Sequence, residues 1–230
     1  MTLVDLNIWL ETPEGLHKLT ALGFYTRLRI TQLLLPLLEC ATGISRVINI
    51  AGGTKEGTLY PTDMQALTVP LYAIRGHLTT LITLSHEALA TRAPSVSFIQ
   101  VFPGAVKTAL FDRMSGWVGF VMRNLMNLAG NWFLVPIQES GERNVFLSTS
   151  AAFPAADEGN DGIRVVDGVH VAKGTDGTVG SGVYSLDYDG TEAGQSVMDL
   201  LGEYREERMV QRVWEHAQAE FERIARHATV

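Results

Sequence analysis

"RVINIAGG", Arg46 to Gly53, is the stretch on which the fold turns. It is β-branched and almost uniformly apolar up to a glycine pair. A strand with one wet face alternates apolar and polar residues, so this run predicts a strand covered on both faces, as in a parallel sheet. Val96–Val101 ("VSFIQV") is a second such run. Between them, in "LYAIRGHLTTLITLSHEALATRAP", Ile74, Leu78, Leu81, Ile82, Ser85 and Leu89 fall on one helical face. Strand, helix and strand in alternation predict an α/β fold with right-handed crossovers.

Upstream, "VDLNIWL" (Val4–Leu10) reads as a short strand. "TPEG" then offers a helix start, with Thr12 as cap and Pro13 at the first helical position. From Leu16 to Cys40 apolar residues recur every three or four positions, predicting a long buried helix that Pro36 kinks or restarts. Downstream, Trp117–Pro136 is apolar but interrupted by Arg123, Asn124, Asn127 and Asn131, so it lacks the unbroken run of about eighteen residues a spanning helix needs. Amphipathic helices that cover a pocket or the core, or rest on a membrane surface, fit it better, with pocket or core packing favoured. "IQESGERNVFLSTSAAFP" predicts another helix, closing at Pro154. "RVVDGVHVAKGTDGTVGSGVYSLDYDG" suggests a hairpin and a final strand. A long C-terminal helix follows, with Leu200, Leu201, Tyr204, Val213, Trp214, Ala217, Phe221 and Ile224 as its apolar stripe. Residues 1–230 are expected to form one domain.

Composition narrows the function. The 230 residues are 46% apolar and 19% charged, enough for one substantial core. The net charge of −7 is scattered and no lysine or arginine block exists, which argues against nucleic acid as a partner and for a small-molecule substrate. Cys40, the single cysteine, excludes an intramolecular disulfide, points to a reducing compartment and reads as a small core residue. The N-terminus has no basic segment before an apolar core, so a cytoplasmic location is expected.

The candidate chemistry gathers around two glycine-bearing turns. "GGTKEGT" (Gly52–Thr58) follows a predicted parallel strand, where open α/β sheets hold ligands. It carries a hydroxyl (Thr54), a cation (Lys55) and a carboxyl (Glu56), and its glycines let a backbone approach a ligand closely; an ordinary polar turn is the alternative. Arg75, always protonated, can anchor a carboxylate or phosphate, and His77 beside it can act as acid or base or simply pack. "DYDGTE" (Asp187–Glu192) gathers three carboxylates without calcium-loop spacing, so a solvated turn and no metal is expected. No Gly-x-Ser-x-Gly elbow appears.

The order of four motifs resembles the C-terminal two thirds of the short-chain dehydrogenase/reductase family, in a divergent fungal branch associated with secondary metabolism. "LLLPLLE…RVINIAGG" looks like its fourth helix and fifth strand. "RGHLTTLITLSHEALA" looks like the helix that carries its Tyr-x-x-x-Lys motif, "VFPGAVKT" like its Pro-Gly-x-Val-x-Thr loop, and "GSGVYSLDYDG" like its last strand. The resemblance implies a partial Rossmann-like, doubly wound parallel sheet missing its first strands, with a C-terminal hairpin and long helix. It also implies an NAD(P) cofactor, oxidoreductase activity, and Pro103, Gly104, Val106 and Thr108 as the loop at the nicotinamide end. Homo- or hetero-oligomers would form through the helices at Leu16–Cys40 and Leu71–Ala90. The departures are specific. No Gly-x-x-x-Gly-x-Gly follows a strand near the start, so the domain reads as N-terminally truncated. The family's serine falls on Ala51 or Gly52, its asparagine near Gly23, its tyrosine on Leu71 and its lysine on Arg75. Tyr72 lies one residue, about 100° of helix, from the tyrosine position. The candidate catalytic residues are therefore Tyr72, Arg75 and His77, in an oxidoreductase by descent with a degenerate site. The alternatives are a cofactor-independent isomerase or cyclase and a non-catalytic partner subunit.

Overall fold

The computed structural model describes residues 11–106, 134–157, 162–165 and 168–228. The strand expected at Val4–Leu10, Thr108, and residues 117–133 of the Trp117–Pro136 segment lie outside them. Three parallel strands form the sheet: β1 (Arg46–Ile50), β2 (Ser97–Val101) and β3 (Val183–Leu186), side by side in that order. Arg46 pairs with Ser97 and Ile50 with Val101; Phe98 pairs with Val183 and Val101 with Leu186. Helices cover both faces, consistent with a partial Rossmann-like α/β fold.

Alternation along the strands separates two layers. Phe98 and Val183 face the larger core, built with Phe24, Leu28, Leu81, Leu84, Leu201 and Val213. Ile99, Val101, Tyr184 and Leu186 face the other side, against Leu147 and Phe153. On the first side lies α1, a continuous helix through Lys18–Thr20, Ala21–Tyr25 and Thr26–Glu39, whose middle segment has the wider π-type turn. The central helix α2 (Leu71–Arg92) starts directly after Pro70 and ends at Ala93, before Pro94. Proline sets both limits, since it suits a helix start and disfavours helical backbone in the residue before it. Every side chain from Thr79 to His86 is buried, so α2 is enclosed at its middle rather than one-sided. On the second face, α3 (Ile137–Thr149) ends short of the expected Pro154. Arg46, at the start of β1, donates to the Leu147, Ser150 and Phe153 carbonyls and so holds the end of α3 to the sheet.

Several expectations are corrected. The Leu16–Cys40 helix is not buried throughout: Phe24, Tyr25 and Leu28 enter the core, whereas Leu22, Ile30, Leu33, Leu34 and Leu37 are exposed, Leu37 by 71%. Pro36 does not restart it: the helix runs through this position to Glu39, with the proline on the exposed side, one turn from the end, where water can serve the carbonyl that loses its donor. Cys40 caps this helix beyond the core and is exposed. The expected hairpin is a short one, a single antiparallel bridge between Lys173 and Val179, and the final strand β3 pairs in parallel with β2. The C-terminal helix is two helices, α4 (Gln195–Glu206) and α5 (Met209–Ala228), divided where Arg208 adopts a left-handed φ of 57°. That reversal turns Met209, Val213 and Ala217 back into the core beside Leu201 and Tyr204.

Among the described residues, no helix is long and apolar enough to cross a membrane. Removing the fully buried Phe98 ring by Phe98→Ala is expected to cost about 3–5 kcal/mol in urea unfolding, while Leu37→Ala changes stability by about 0.5 kcal/mol or less in the isolated chain. Equal losses in the two variants would refute this assignment of core and surface.

Candidate functional site

The segments that leave the strands meet at the carboxyl edge of the sheet: Ala51–Gly57 after β1, Phe102–Val106 after β2 and Asp187–Gly190 after β3, with the first turn of α2 beside them. The glycines after β1 serve packing. A Cβ on Gly52 would lie 2.2 Å from Thr79 Oγ1, and one on Gly53 would lie 2.4 and 2.5 Å from the Leu186 and Gln100 carbonyl oxygens. The turn therefore presses against α2, β2 and β3, which corrects the expectation that these two glycines make room for a ligand. Gly57 meets Gly76 of α2 in the same way, backbone to backbone.

Beneath this turn lies a buried polar cluster. Glu56, 8% exposed, places Oε1 2.6 Å from Ser185 Oγ and 2.8 Å from Thr83 Oγ1. Thr83 Oγ1 also lies 3.1 Å from both Gln100 Oε1 and the Thr79 carbonyl oxygen. A hydroxyl has one proton to give, and here three acceptors compete for it. A protonated Glu56 would supply a further donor. Burial pushes its pKa up, while bonds from Ser185 and Thr83 pull the other way. Desolvation wins, because the carboxyl is enclosed and its Oε2 has no hydrogen-bond partner among the described residues. Ser185 Oγ also accepts from the Thr54 N–H at 2.7 Å, which holds Thr54 at its left-handed φ of 63°.

Above the cluster the site is charged. Lys55 Nζ lies 2.6 Å from Asp187 Oδ2, and the Thr54 hydroxyl donates to the same oxygen at 3.1 Å. These bonds hold the Asp187 carboxyl below its usual range, against a partial desolvation. Lys55 Nζ and Arg75 Cζ stand 5.4 and 4.6 Å from the centroid of the Phe102 ring. Next to it, Pro103 borders a cavity of about 60 Å³ with Arg143, Phe146 and Tyr188. Gly104 has φ 74°, and a Cβ there would meet Tyr188 at 3.0 Å, so glycine is required both sterically and conformationally. Val106 bridges to Val135.

The residues singled out on α2 separate. Tyr72 is 88% exposed and Arg75, three residues on, is exposed on the same side of the helix. His77 points inward and is fully buried. Its Nδ1 accepts from the Tyr60 N–H at 3.2 Å and its Nε2 faces the Met64 carbonyl at 3.3 Å, the pattern of a neutral ring that donates through Nε2. Burial lowers its pKa, opposed by the bond to Met64 and by Asp63. The three carboxylates of "DYDGTE" diverge: Asp187 takes Lys55, Asp189 accepts from the Thr191 N–H and Glu192 from the Lys173 N–H. Sequence reasoning passed over Phe102, Thr83, Gln100, Ser185 and the role of Asp187. A signal was present in Gln100 and Ser185, polar residues inside otherwise apolar strands, which burial obliges to find partners.

No protein-family model matches this chain, and no solved structure does. Fungal proteins do. An oxidoreductase of Emericella variicolor is 36% identical over 224 residues, covering 93% of this chain and 63% of its own length. An oxidoreductase of Emericella nidulans is 37% identical over 220 residues, 91% of this chain and 62% of its own. A Stachybotrys chartarum protein named short-chain dehydrogenase/reductase is 29% identical over 227 residues, 95% of this chain and 62% of its own. The chain thus spans a little under two thirds of the length of these relatives.

The Glu56 assignment has a pH signature. Its folded pKa is raised above the ordinary 4.5, so as pH climbs past 4.5 the unfolded chain gives up this proton first. Stability then falls toward the folded pKa. Glu56→Gln keeps the shape and cannot ionise, so its stability relative to the parent should improve as pH rises from 4.5 toward the folded-state pKa. Glu56→Ala, which strands Ser185 and Thr83, should lose about 1–3 kcal/mol. Urea unfolding across that range checks both, and a Gln variant that tracks the parent at every pH would overturn the assignment.

Proposed function

We propose that the chain belongs with the short-chain dehydrogenase/reductases as a single, divergent domain, and that it serves a nicotinamide-dependent oxidoreductase acting on a small-molecule substrate in fungal secondary metabolism, in the cytoplasm. The observation that carries this reading is the contact of Arg75 with Phe102 at the carboxyl edge of a parallel sheet, the side on which open α/β folds bind ligands, with Tyr72 one helical turn from Arg75 on the same side of α2. The similarity to fungal proteins named oxidoreductases, one of them a short-chain dehydrogenase/reductase, supports it.

The turn after β2 fits a nicotinamide carboxamide. That group needs one acceptor and one donor, and the Pro103 carbonyl and Gly104 N–H have no hydrogen-bond partner among the described residues. When bound, the cofactor supplies or accepts a hydride. In this reading Pro103, Gly104, Val106 and Thr108 hold its nicotinamide end. Tyr72 exchanges a proton with the substrate oxygen through its phenol, and Arg75 stabilises negative charge that develops there, without itself transferring a proton. His77 acts from behind, bracing the Leu59–Met64 segment against α2 so that the first turn of the helix keeps its position. A cofactor-independent isomerase or cyclase would use the same open face with no hydride donor.

A partner-subunit role is a second reading, favoured by the exposed leucines of α1. They form a continuous apolar face of the kind that associating helices cover. Light scattering at micromolar concentration is expected to give a dimer, and a well-folded monomer would remove this reading.

Titration of the chain with NADH and NADPH, followed by fluorescence or calorimetry, is expected to show micromolar binding, and silence with both would overturn the nicotinamide reading. Where NADPH consumption identifies a ketone or aldehyde substrate, Tyr72→Phe should lower kcat by about 10²-fold or more with KM little changed. Turnover of a candidate substrate without nicotinamide would favour the isomerase or cyclase instead.

A further inference from the structure

Among the described residues the ion pairs are Lys55–Asp187, Arg143–Glu139, Arg205–Glu87 and Arg223–Glu220. Arg75 belongs to none of them. Arg27 and Arg92 also lack carboxylate partners there, but each donates to backbone or side-chain oxygens. Among the described residues the Arg75 guanidinium makes no hydrogen bond, and its contact there is the Phe102 ring, 4.6 Å from Cζ to centroid. Lys55 approaches the same ring, yet its charge is already matched by Asp187. One aromatic ring thus carries two cations and one carboxylate, leaving one positive charge unmatched in a chain whose net charge is −7.

We propose that Arg75 and Lys55, gathered about Phe102, form a subsite for an anionic oxygen group, a carboxylate or a phosphate monoester, carried by the substrate. The proposal rests on the reading of this same crevice as the ligand site. A guanidinium supported by an aromatic ring keeps its edge N–H groups available for two parallel bonds to such an anion. The Lys55 ammonium, with one proton on Asp187, has two more to offer. Phe102 displaces water from one side of Arg75, so an ion pair formed there is stronger than one in open solvent. Tyr72 stands on the same side of α2, so the preferred substrate is an organic anion whose reacting oxygen lies a few bonds from its charged group.

The test uses the full chain at low ionic strength. It is titrated calorimetrically with inorganic phosphate, with succinate, and with succinamide as the neutral counterpart of succinate. Saturable millimolar binding of an anion is expected, with none of succinamide. Arg75→Gln should weaken it about tenfold or more, Arg75→Lys less, and Lys55→Gln less again. Circular dichroism establishes that each variant is folded, as the exposed Arg75 and half-buried Lys55 side chains lead one to expect. Tighter binding of phosphate identifies a phosphoester substrate, and tighter binding of succinate a carboxylic acid. Anion binding unchanged in Arg75→Gln, equal binding of succinamide, or no saturable binding of either anion would overturn the proposal. NADPH titration of the same preparation separates the two readings. Arg75-dependent anion binding without NADPH binding sinks only the nicotinamide reading, and NADPH binding without it sinks only the anion subsite.

Discussion

The Glu56 carboxyl joins three parts of the chain that lie far apart in sequence. Through Oε1 it is within hydrogen-bonding distance of Ser185 on β3 and Thr83 on α2, and it belongs to the turn that leaves β1. Such a group costs free energy to bury unless its bonds are made, so the cluster penalises any arrangement in which one element drifts. Packing reinforces the bond pattern. Gly52 and Gly53 leave no room for a side chain between the turn and its neighbours, and the Gly57–Gly76 contact brings the chain against α2. A polar network of this kind contributes little net stability compared with an apolar core. Its effect is to fix the separation of β1, β3 and α2 at the edge where the candidate residues stand.

The charged layer inherits that geometry. Thr54 is held at a left-handed φ by the bond from its N–H to Ser185. This directs its hydroxyl, and Lys55 after it, toward Asp187, more than a hundred residues on in the chain. Asp187 follows β3 as directly as Phe102 follows β2, so the register Val101↔Leu186 brings the carboxylate and the aromatic ring to the same edge. The placement of Lys55 near both follows from strand pairing, without any interaction local to "GGTKEGT".

This explains what could be read from the sequence. Parallel strands declare themselves through unbroken apolar runs, and both runs form strands; "VSFIQV" is buried along β2 as read, whereas "RVINIAGG" makes an edge strand of the described sheet that is only half covered, with Ile50 46% exposed. Proline limits are local too, and α2 begins just after Pro70 and ends just before Pro94. Which face of α1 is covered is not local, because periodicity reports that a helix has an apolar face and is silent on whether this chain covers all of it. Hence Leu33 and Leu37, indistinguishable in pattern from Leu28, lie outside. The division between α4 and α5 was hidden for a different reason: Arg208 is neither glycine nor asparagine, the residues that usually announce a left-handed position. Within the site, residue types in the two turns were legible, while the Lys55–Asp187 and Glu56–Ser185 pairs needed the sheet.

Helical phase then decides what α2 can contribute. Successive residues turn by about 100°, so Ile74 and His77 share the inward side while Tyr72 and Arg75 share the outward one. Arg75 and His77, two apart, look in nearly opposite directions and cannot meet one small molecule. An imidazole with both nitrogens engaged in the interior fixes the segment from Tyr60 to Met64, and the outward pair is left to face a ligand. Leu71 is itself exposed beside Tyr72, so the first turn of α2 presents an apolar residue, a phenol and a cation together. Moving the phenol by one position relative to the resembled motif rotates it about the helix while keeping it one turn from the cation. A pocket built on that rotated pair would hold its substrate at a different angle to the sheet. Under the proposed reading, the departure from the resembled motif would bear first on substrate orientation and only then on the capacity to transfer a proton.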